Sequence, residues 1–363
     1  MSYKFYLRLS VYILLICAVL IYGINLISIL FSHPDDNSEY IRKDAAIESG
    51  SIKLIVRDSV ISAYYKNEKL VKGNGFSSSF SVKGKGYCSS SAKWKLVKVD
   101  ESKLQAVVSW PDLDLEEIWN FSVKDNTIDW QVEFNNPSSI ELTDLLCTFV
   151  VNDSYKEWSS VYGRGIIPEL QPWQHRADLP GVASSKYIGV NSSGGIMPQI
   201  VFGVEESLLL NRLELCKFRD FFYKNAPLAI NIYSSRQKVS LDKGTVRVFS
   251  GQVSLFEKGP QDIPGYLIEK LISTQGIEQG NLKLFFDQGR GHLYYKGNEL
   301  ARENGFSSSF SVRGIKYHSA DAKWKLVKVE QSKLQAVLSW PDLNIEEIWN
   351  FSVKDNTIDW QVE

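Results

Sequence analysis

Histidine and cysteine are scarce in this chain of 363 residues, four of each, and so is net charge. Its 41 Lys and Arg against 42 Asp and Glu leave a formal charge of −1. So even a balance excludes the strong overall field that draws in nucleic acid, and no nucleic-acid partner is expected. The cysteines show no C-x-x-C spacing, and Cys88, Cys147 and Cys216 are an odd set once Cys17 is set apart, so neither a disulfide framework nor a zinc site is indicated. Cys147, in the apolar run LLCTFVV, reads as a small core residue. His175 stands alone between residues 51 and 257, with His33, His292 and His318 elsewhere, so a histidine-based metal site is not expected. Also missing are the G-x-S-x-G nucleophile elbow and the glycine loop that cradles phosphate, and no cofactor is indicated. NGFSSSF, at Asn74 to Phe80 and again at Asn304 to Phe310, reads instead as a strand with small residues on one face.

What the chain does have begins with LSVYILLICAVLIYGINLISILF, Leu9 to Phe31, an uncharged run long enough to cross a bilayer as a helix. It leaves through Ser32, His33 and Pro34 without a small-residue cleavage site, which favours a signal-anchor over a cleaved leader. Lys4 and Arg8 precede the run while Asp35, Asp36 and Glu39 follow it, so the positive-inside rule places the N-terminus in the cytoplasm. The expectation is a single-pass protein of the cytoplasmic membrane, with residues 1–40 as tip, anchor and stalk and the remainder extracytoplasmic.

The other conspicuous feature is duplication. EEIWNFSVKDNTIDWQVE occurs at Glu116 to Glu133 and, without a change, at Glu346 to Glu363. Shifting the chain on itself aligns Ile52 to Glu133 with Leu282 to Glu363 without a gap, with about two-thirds of the letters identical, a period too long for solenoids or propeller blades. The implied organisation is a β-sandwich unit at 51–257, a linker with a short helix at 258–280, and a partial second unit at 281–363. A β-unit cut at the equivalent of Glu133 leaves strand edges unpaired, so the chain is expected to be a piece of a longer protein.

Within the units, strand periodicity is clear. KLQAVVSW puts Leu104, Ala106, Val108 and Trp110 on one face, and IDWQVEF does the same for Ile128, Trp130, Val132 and Phe134. Lys124 to Thr127 has hairpin-turn composition. Trp94, Trp119 and Trp130 read as core and Trp110, before Pro111, as core or rim. IPGYLIEKLIST, Ile263 to Thr274, predicts a helix, with Pro264 near its start and Gly276 beyond its end. The fold class expected is mainly β: an N-terminal transmembrane helix, a large antiparallel β-sandwich or supersandwich, and a truncated second copy.

Chemistry is concentrated in SYKEWSSVYGRGIIPELQPWQHR, Ser154 to Arg176, read as a loop because of Gly163, Gly165, Pro168 and Pro172. Trp158, Tyr162 and Trp173 offer aromatic faces for sugar C–H groups, and Arg164, Glu169, His175 and Arg176 offer directional hydrogen bonds. The same residues would equally serve a loop that folds back to cover a sheet. Asp112 and Asp114 form a carboxylate pair, but Asn344 replaces the second of them in the repeat, which weakens an acid–base role. Glu116 and Glu117 persist in both copies and read as a solvated strand start.

SWPDLDLEEIWNFSVKDNTIDWQVE, the later SYKEW and the closing FSGQVSLFE together resemble β-rich modules of bacterial polysaccharide-processing proteins, of the galactose-mutarotase-like supersandwich type, which can accompany glycan-active domains. The resemblance covers the whole first unit and the part of the second that is present. It implies that fold and contact with polysaccharide or oligosaccharide. Mutarotases use two histidines and an acidic base; here only His175 with Glu169 or Glu205 is on offer, which argues against epimerase activity. The leading expectation is a membrane-anchored protein whose modules bind or position polysaccharide, with duplication raising avidity. The alternatives are a glycan-active enzyme using Glu169 and His175 as acid and base with Arg164 stabilising charge, and a structural spacer.

Overall fold

The computed structural model describes residues 45–363 apart from 99, 162, 172–173, 180–185, 193–196, 208–212, 219–227, 234–237, 258–262, 288 and 301–304. Two large sheets face one another. In one, the strands Ala45–Ser49, Ile52–Arg57, Val60–Tyr65, Val71–Val82, Ile140–Val151, Leu228–Tyr233, Leu213–Phe218 and Arg176–Asp178 lie side by side in that order. In the other, the order is Gly163–Ile166, Tyr155–Ser160, Tyr187–Ser192, Gln199–Ser207, Gly244–Phe256, Thr127–Asn136, Leu115–Lys124, Lys103–Trp110 and Lys93–Lys98. Neighbours are antiparallel except at the single pairing of Ile61 with Gly75.

The alternation of apolar and polar letters explains why these segments are strands with one buried face, because successive side chains point to opposite sides of the sheet. Leu115–Lys124 turns Leu115, Trp119, Phe121 and Val123 inward, and Thr127–Asn136 turns in Ile128, Trp130, Val132 and Phe134. The two strands are joined by a two-residue loop in which Asp125 takes a φ of 53°, as Asp355 (48°) and Asn356 (62°) do in the repeat. Asp and Asn tolerate this left-handed backbone, which matches the twist of a tight hairpin. In the core, Trp130 lies 5.0 Å from Phe76 of the opposing sheet and 4.9 Å from Phe249 of the next strand, both edge-to-face. Trp94 is half-buried against this core, 5.2 Å from Trp119, and Trp110 is buried. Cys147 is also buried, and burial pushes its thiol well above the usual range.

Residues 276–363 build smaller sheets from the repeated letters. Lys323–Glu330, Lys333–Trp340, Ile345–Lys354 and Thr357–Val362 form one four-stranded sheet in sequence order, and Gly276–Gln279, Leu282–Asp287, Arg290–Tyr295 and Asn298–Glu299 form another. Trp349, Phe351, Phe286 and Leu284 centre a second core there. The helix Ile263–Gln275 presents Leu267, Leu271 and Ile272 on one face, and these pack with Val161, Tyr187 and Val201 of the first copy and Phe285 and Tyr294 of the second. The helix thus supplies an apolar wedge between the two copies.

Three expectations need correction. Among the described residues no helix is long and apolar enough to cross a membrane: the α-helix Ile263–Gln275 has 13 residues, where a span needs about 20. The run Leu9 to Phe31 lies outside the described residues, and the fold of the described residues is mainly β with one α-helix and no membrane-spanning helix. Second, Ser154 to Arg176 is not simply a loop, because Tyr155–Ser160 and Gly163–Ile166 pair as a hairpin at the edge of the second sheet. Gly165 makes this possible: a Cβ there would sit 2.9 Å from Nε1 of Trp158, the ring that covers it. Third, Glu117 is not solvated. It lies fully buried on the inward face between Leu115 and Trp119, while Glu116 stays half-buried on the outer face.

Candidate functional site

Gly163–Ile166 is the edge strand of one sheet and Arg176–Asp178 the edge strand of the other. Glu169, just after the first of them, bridges the seam between the sheets, because it pairs with Lys156 of one and Lys217 of the other. The backbone N–H of Ile167 donates to Lys156 O, and a turn at Gln171 to Gln174 is tied by Gln174 N–H to Gln171 O and by Gln171 N–H to Gln174 Oε1. Ile167 is buried, whereas Pro168, Glu169 and Gln171 are exposed.

Charged side chains of alternating sign line this seam. Lys217, itself nearly buried, donates to the exposed Glu169, and Lys156 reaches the other oxygen of the same carboxylate at 3.4 Å. Lys217 stands across the strand pair from Ala177, beside Arg176, and Arg176 in turn bonds Glu214, which is only 9% exposed at the side chain. The hydrogen bond from Lys217 holds the Glu169 carboxyl below the usual range, with Lys156 adding to the effect. Glu169 therefore stays ionised at neutral pH and carries no proton to give, which removes it as a general acid.

Behind Glu214, on the face of the first sheet that points away from the core, Asn231 and Thr148 form a buried polar pair. Thr148 Oγ1 donates to Asn231 Oδ1 at 3.0 Å, and Asn231 Nδ2 contacts Cys216 Sγ at 3.0 Å. Replacing Arg176 by Ala is expected to remove its hydrogen bond to the nearly buried Glu214 carboxylate and to cost about 1 kcal/mol, with Arg176→Lys recovering part of it; urea midpoints of the variants measure this.

The residues singled out from the sequence are placed as follows. Arg164, Glu169, His175 and Arg176 are all exposed around the seam. Trp158 is 8% exposed and packs with the main core. Tyr162 and Trp173 lie outside the described residues, and so does the side chain of Glu205. Asp112 is an exposed ion-pair partner of Lys85 at 2.7 Å and accepts from Tyr87 Oη at 3.0 Å, so its carboxyl too is held low, chiefly by the Lys85 hydrogen bond. Asp114 takes a φ of 51° and its counterpart Asn344 a φ of 53°, so the exchange of Asp for Asn follows a backbone demand rather than chemistry.

Glu214, Lys217 and Asn231 were not singled out from the sequence, and Glu117 was read as solvated. Glu117 is the most unusual of them. Ser78 Oγ, reaching across from the opposing sheet, donates to its carboxylate at 2.7 and 3.0 Å, and the Trp119 indole N–H donates at 2.6 Å. Burial raises its carboxyl from 4.5 to about 7, a rise that the two donors oppose. The second copy repeats the arrangement, with Ser308 Oγ at 2.6 Å and Trp349 Nε1 at 2.8 Å from Glu347 Oε2. The signal was present in the sequence: Glu117 shares the parity of Leu115 and Trp119, and the Ser and Trp that satisfy it recur with it.

No protein-family profile matches the chain, and no curated protein sequence matches it. Solved structures do share its general β-sandwich pattern. A galactose mutarotase related enzyme from Lactobacillus acidophilus aligns with a TM-score of 0.42 and 8% identity, over 59% of this chain and 97% of its own. An α-galactosidase from Lactobacillus brevis aligns at 0.40 and 11%, over 64% of this chain and 41% of its own. A glycoside hydrolase family 36 α-galactosidase from Geobacillus stearothermophilus aligns at 0.40 and 12%, over 60% and 40%. Similarity at this level carries no information about individual residues or their chemistry.

Proposed function

We propose that the sandwich at residues 51–257 binds or positions polysaccharide, without catalysing its conversion, at the seam that Glu169 bridges between Lys156 and Lys217. The observation that carries this reading is the exposed set Arg164, Glu169, His175 and Arg176 on a segment fixed at both ends by edge strands. Exposed donors and acceptors held next to edge strands suit the repeated hydroxyls of a sugar chain, and Tyr162 and Trp173, which lie among these residues in sequence, are the proposed stacking partners. The neighbours named above include carbohydrate-active enzymes, which is why sugar is the first ligand class to test. A catalytic variant of the reading draws no support from Glu169, because two lysines hold it ionised.

The seam residues lie in a stretch of the first copy with no counterpart in residues 281–363, so the proposal concerns the first copy alone. Avidity from duplication is therefore not part of the proposal. The test is a polysaccharide and oligosaccharide array with the full chain. Saturable binding to one glycan class is expected, weakened about tenfold by Arg164→Ala or His175→Ala with no change in melting temperature. An array with no saturable signal, or one on which both variants bind like the parent, would overturn the reading.

A further inference from the structure

The two copies do not differ evenly. Between 52–91 and 282–321, 22 of 40 positions differ, whereas between 92–133 and 322–363 only five of 42 do. Of those five, Asp100, Glu101 and Asp114 are exposed positions between strands, and Val108 and Leu115 are buried. Every outward-facing strand position from Lys93 to Glu133 is therefore the same in both copies. Stability does not require this, because outward positions on a sheet tolerate substitution far better than core positions do. What remains is a demand on the surface itself.

Cross-strand register sorts that surface into rows. Lys95, Val107, Ile118 and Glu133 stand side by side on four neighbouring strands, and Val97, Gln105, Asn120 and Gln131 form the next row. Lys95 and Val97 are exposed and the other six are half-buried. Lys325, Val337, Ile348 and Glu363 repeat the first row in the second copy. The amides repeat as well: Gln105 Nε2 donates to Asn120 Oδ1 at 2.9 Å, and Gln335 Nε2 to Asn350 Oδ1 at 2.7 Å. The aromatic side chains of these four strands all pack in or against the core, so the surface has no ring for a sugar to stack on.

The first row runs from cation through two apolar side chains to carboxylate, and this order makes the face complementary to itself. Consider a second such sheet laid face to face, related by a two-fold axis parallel to the strands and midway between Lys103–Trp110 and Leu115–Lys124. Each row then meets its own reverse. Lys95 lies over Glu133, Val107 over Ile118 and Gln105 over Asn120, and the symmetry makes every contact twice. Charge meets opposite charge, apolar meets apolar, and amide meets amide. The same two sheets laid together without that reversal would set lysine over lysine and glutamate over glutamate.

We propose that the outward face of the strands from Lys93 to Glu133 binds the same face of a second copy of this chain, sheet on sheet, about that two-fold axis. Aligned packing of two sheets is an ordinary arrangement for twisted strands. Four strands of about seven residues give a footprint of about 20 by 23 Å on each partner. That is at the small end of specific interfaces, so the association is reversible and depends on concentration.

The test is sedimentation velocity of the full chain over a range of concentrations, in a mild nonionic detergent that keeps the apolar run Leu9 to Phe31 dispersed. The sedimentation coefficient is expected to rise with protein concentration. Lys95→Glu with Lys325→Glu, both at exposed positions, weakens association at least tenfold, and Glu133→Lys with Glu363→Lys does the same. An equimolar mixture of the two variants associates again, because each reversed row now meets the opposite charge at both ends. Glu133 also holds Arg247 at 3.1 Å. Should its reversal lower the melting temperature, Ile118→Arg with Ile348→Arg, at the centre of the row, takes its place and is expected to abolish association. A parent chain whose sedimentation does not change with concentration overturns the proposal, and so does a lysine or isoleucine variant that associates like the parent. Two stably folded charge variants that stay apart when mixed overturn it too. A single-copy chain that binds a glycan or another protein through Lys95 would assign the face to that occupant instead.

Discussion

The folded chain is expected to grow less stable as pH rises from about 4.5 to about 7, and Glu117→Gln is expected to remove much of that slope. Burial, the largest cause, raises the folded carboxyl to about 7, while in the unfolded chain it returns to the ordinary 4.5. Between those values the folded state keeps a proton that the unfolded state has lost, so raising the pH favours unfolding. Below 4.5 both states are protonated and above 7 both are ionised, so the effect is confined to that window. Its size is about 3 kcal/mol, a large part of the stability of an ordinary domain. A glutamine keeps an oxygen that can accept from Ser78 and Trp119 and has no proton to lose in this range. Denaturant midpoints of parent and variant at pH 5 and pH 8 measure the difference. Parallel slopes for the two proteins would show that the carboxyl does not carry the effect.

Trp130→Ala and Trp360→Ala, the same substitution in the same local sequence, are expected to differ severalfold in cost. Trp130 is fully buried, with Phe76, Phe121, Trp119 and Phe249 around it, so its removal opens a cavity bounded on every side and should cost about 3–5 kcal/mol. Trp360 keeps Phe306, Trp349 and Phe351, but among the described residues no ring takes the place of Phe249 and no second strand flanks Thr357–Val362. Solvent and relaxing neighbours fill part of the space it leaves, and about 1–2 kcal/mol is expected. Thermal melts followed by circular dichroism compare the two. Equal costs would mean that the two strands are equally enclosed in solution.

The comparison bears on how much could be read before the structure. Period-two patterning identified the inward sets Leu104, Ala106, Val108, Trp110 and Ile128, Trp130, Val132, Phe134, because strand alternation is local and needs no knowledge of the partner. Glu117 shows where such reading stops. Its parity pointed inward and its charge pointed outward, and nothing in the local letters says that Ser78, from a strand 39 positions earlier, arrives from the opposing sheet to hydrogen-bond it. The seam was half legible. Glycine, proline and aromatic letters marked residues 154–176 as unusual, but the partners that set their chemistry, Lys217 and Glu214, come from a strand some forty residues later.

Trp130 and Trp360 draw the boundary most sharply. The letters around them are the same for eighteen residues, so everything local is shared: strand conformation, the hairpin before each, and the face each ring points toward. Only the assembled sheet decides that one ring is enclosed and the other half-open, because Gly244–Phe256 lies alongside the first strand and, among the described residues, only Ile345–Lys354 lies alongside the second. Backbone alternation is dictated by bond geometry within a few residues; burial is dictated by which distant segments arrive to exclude water.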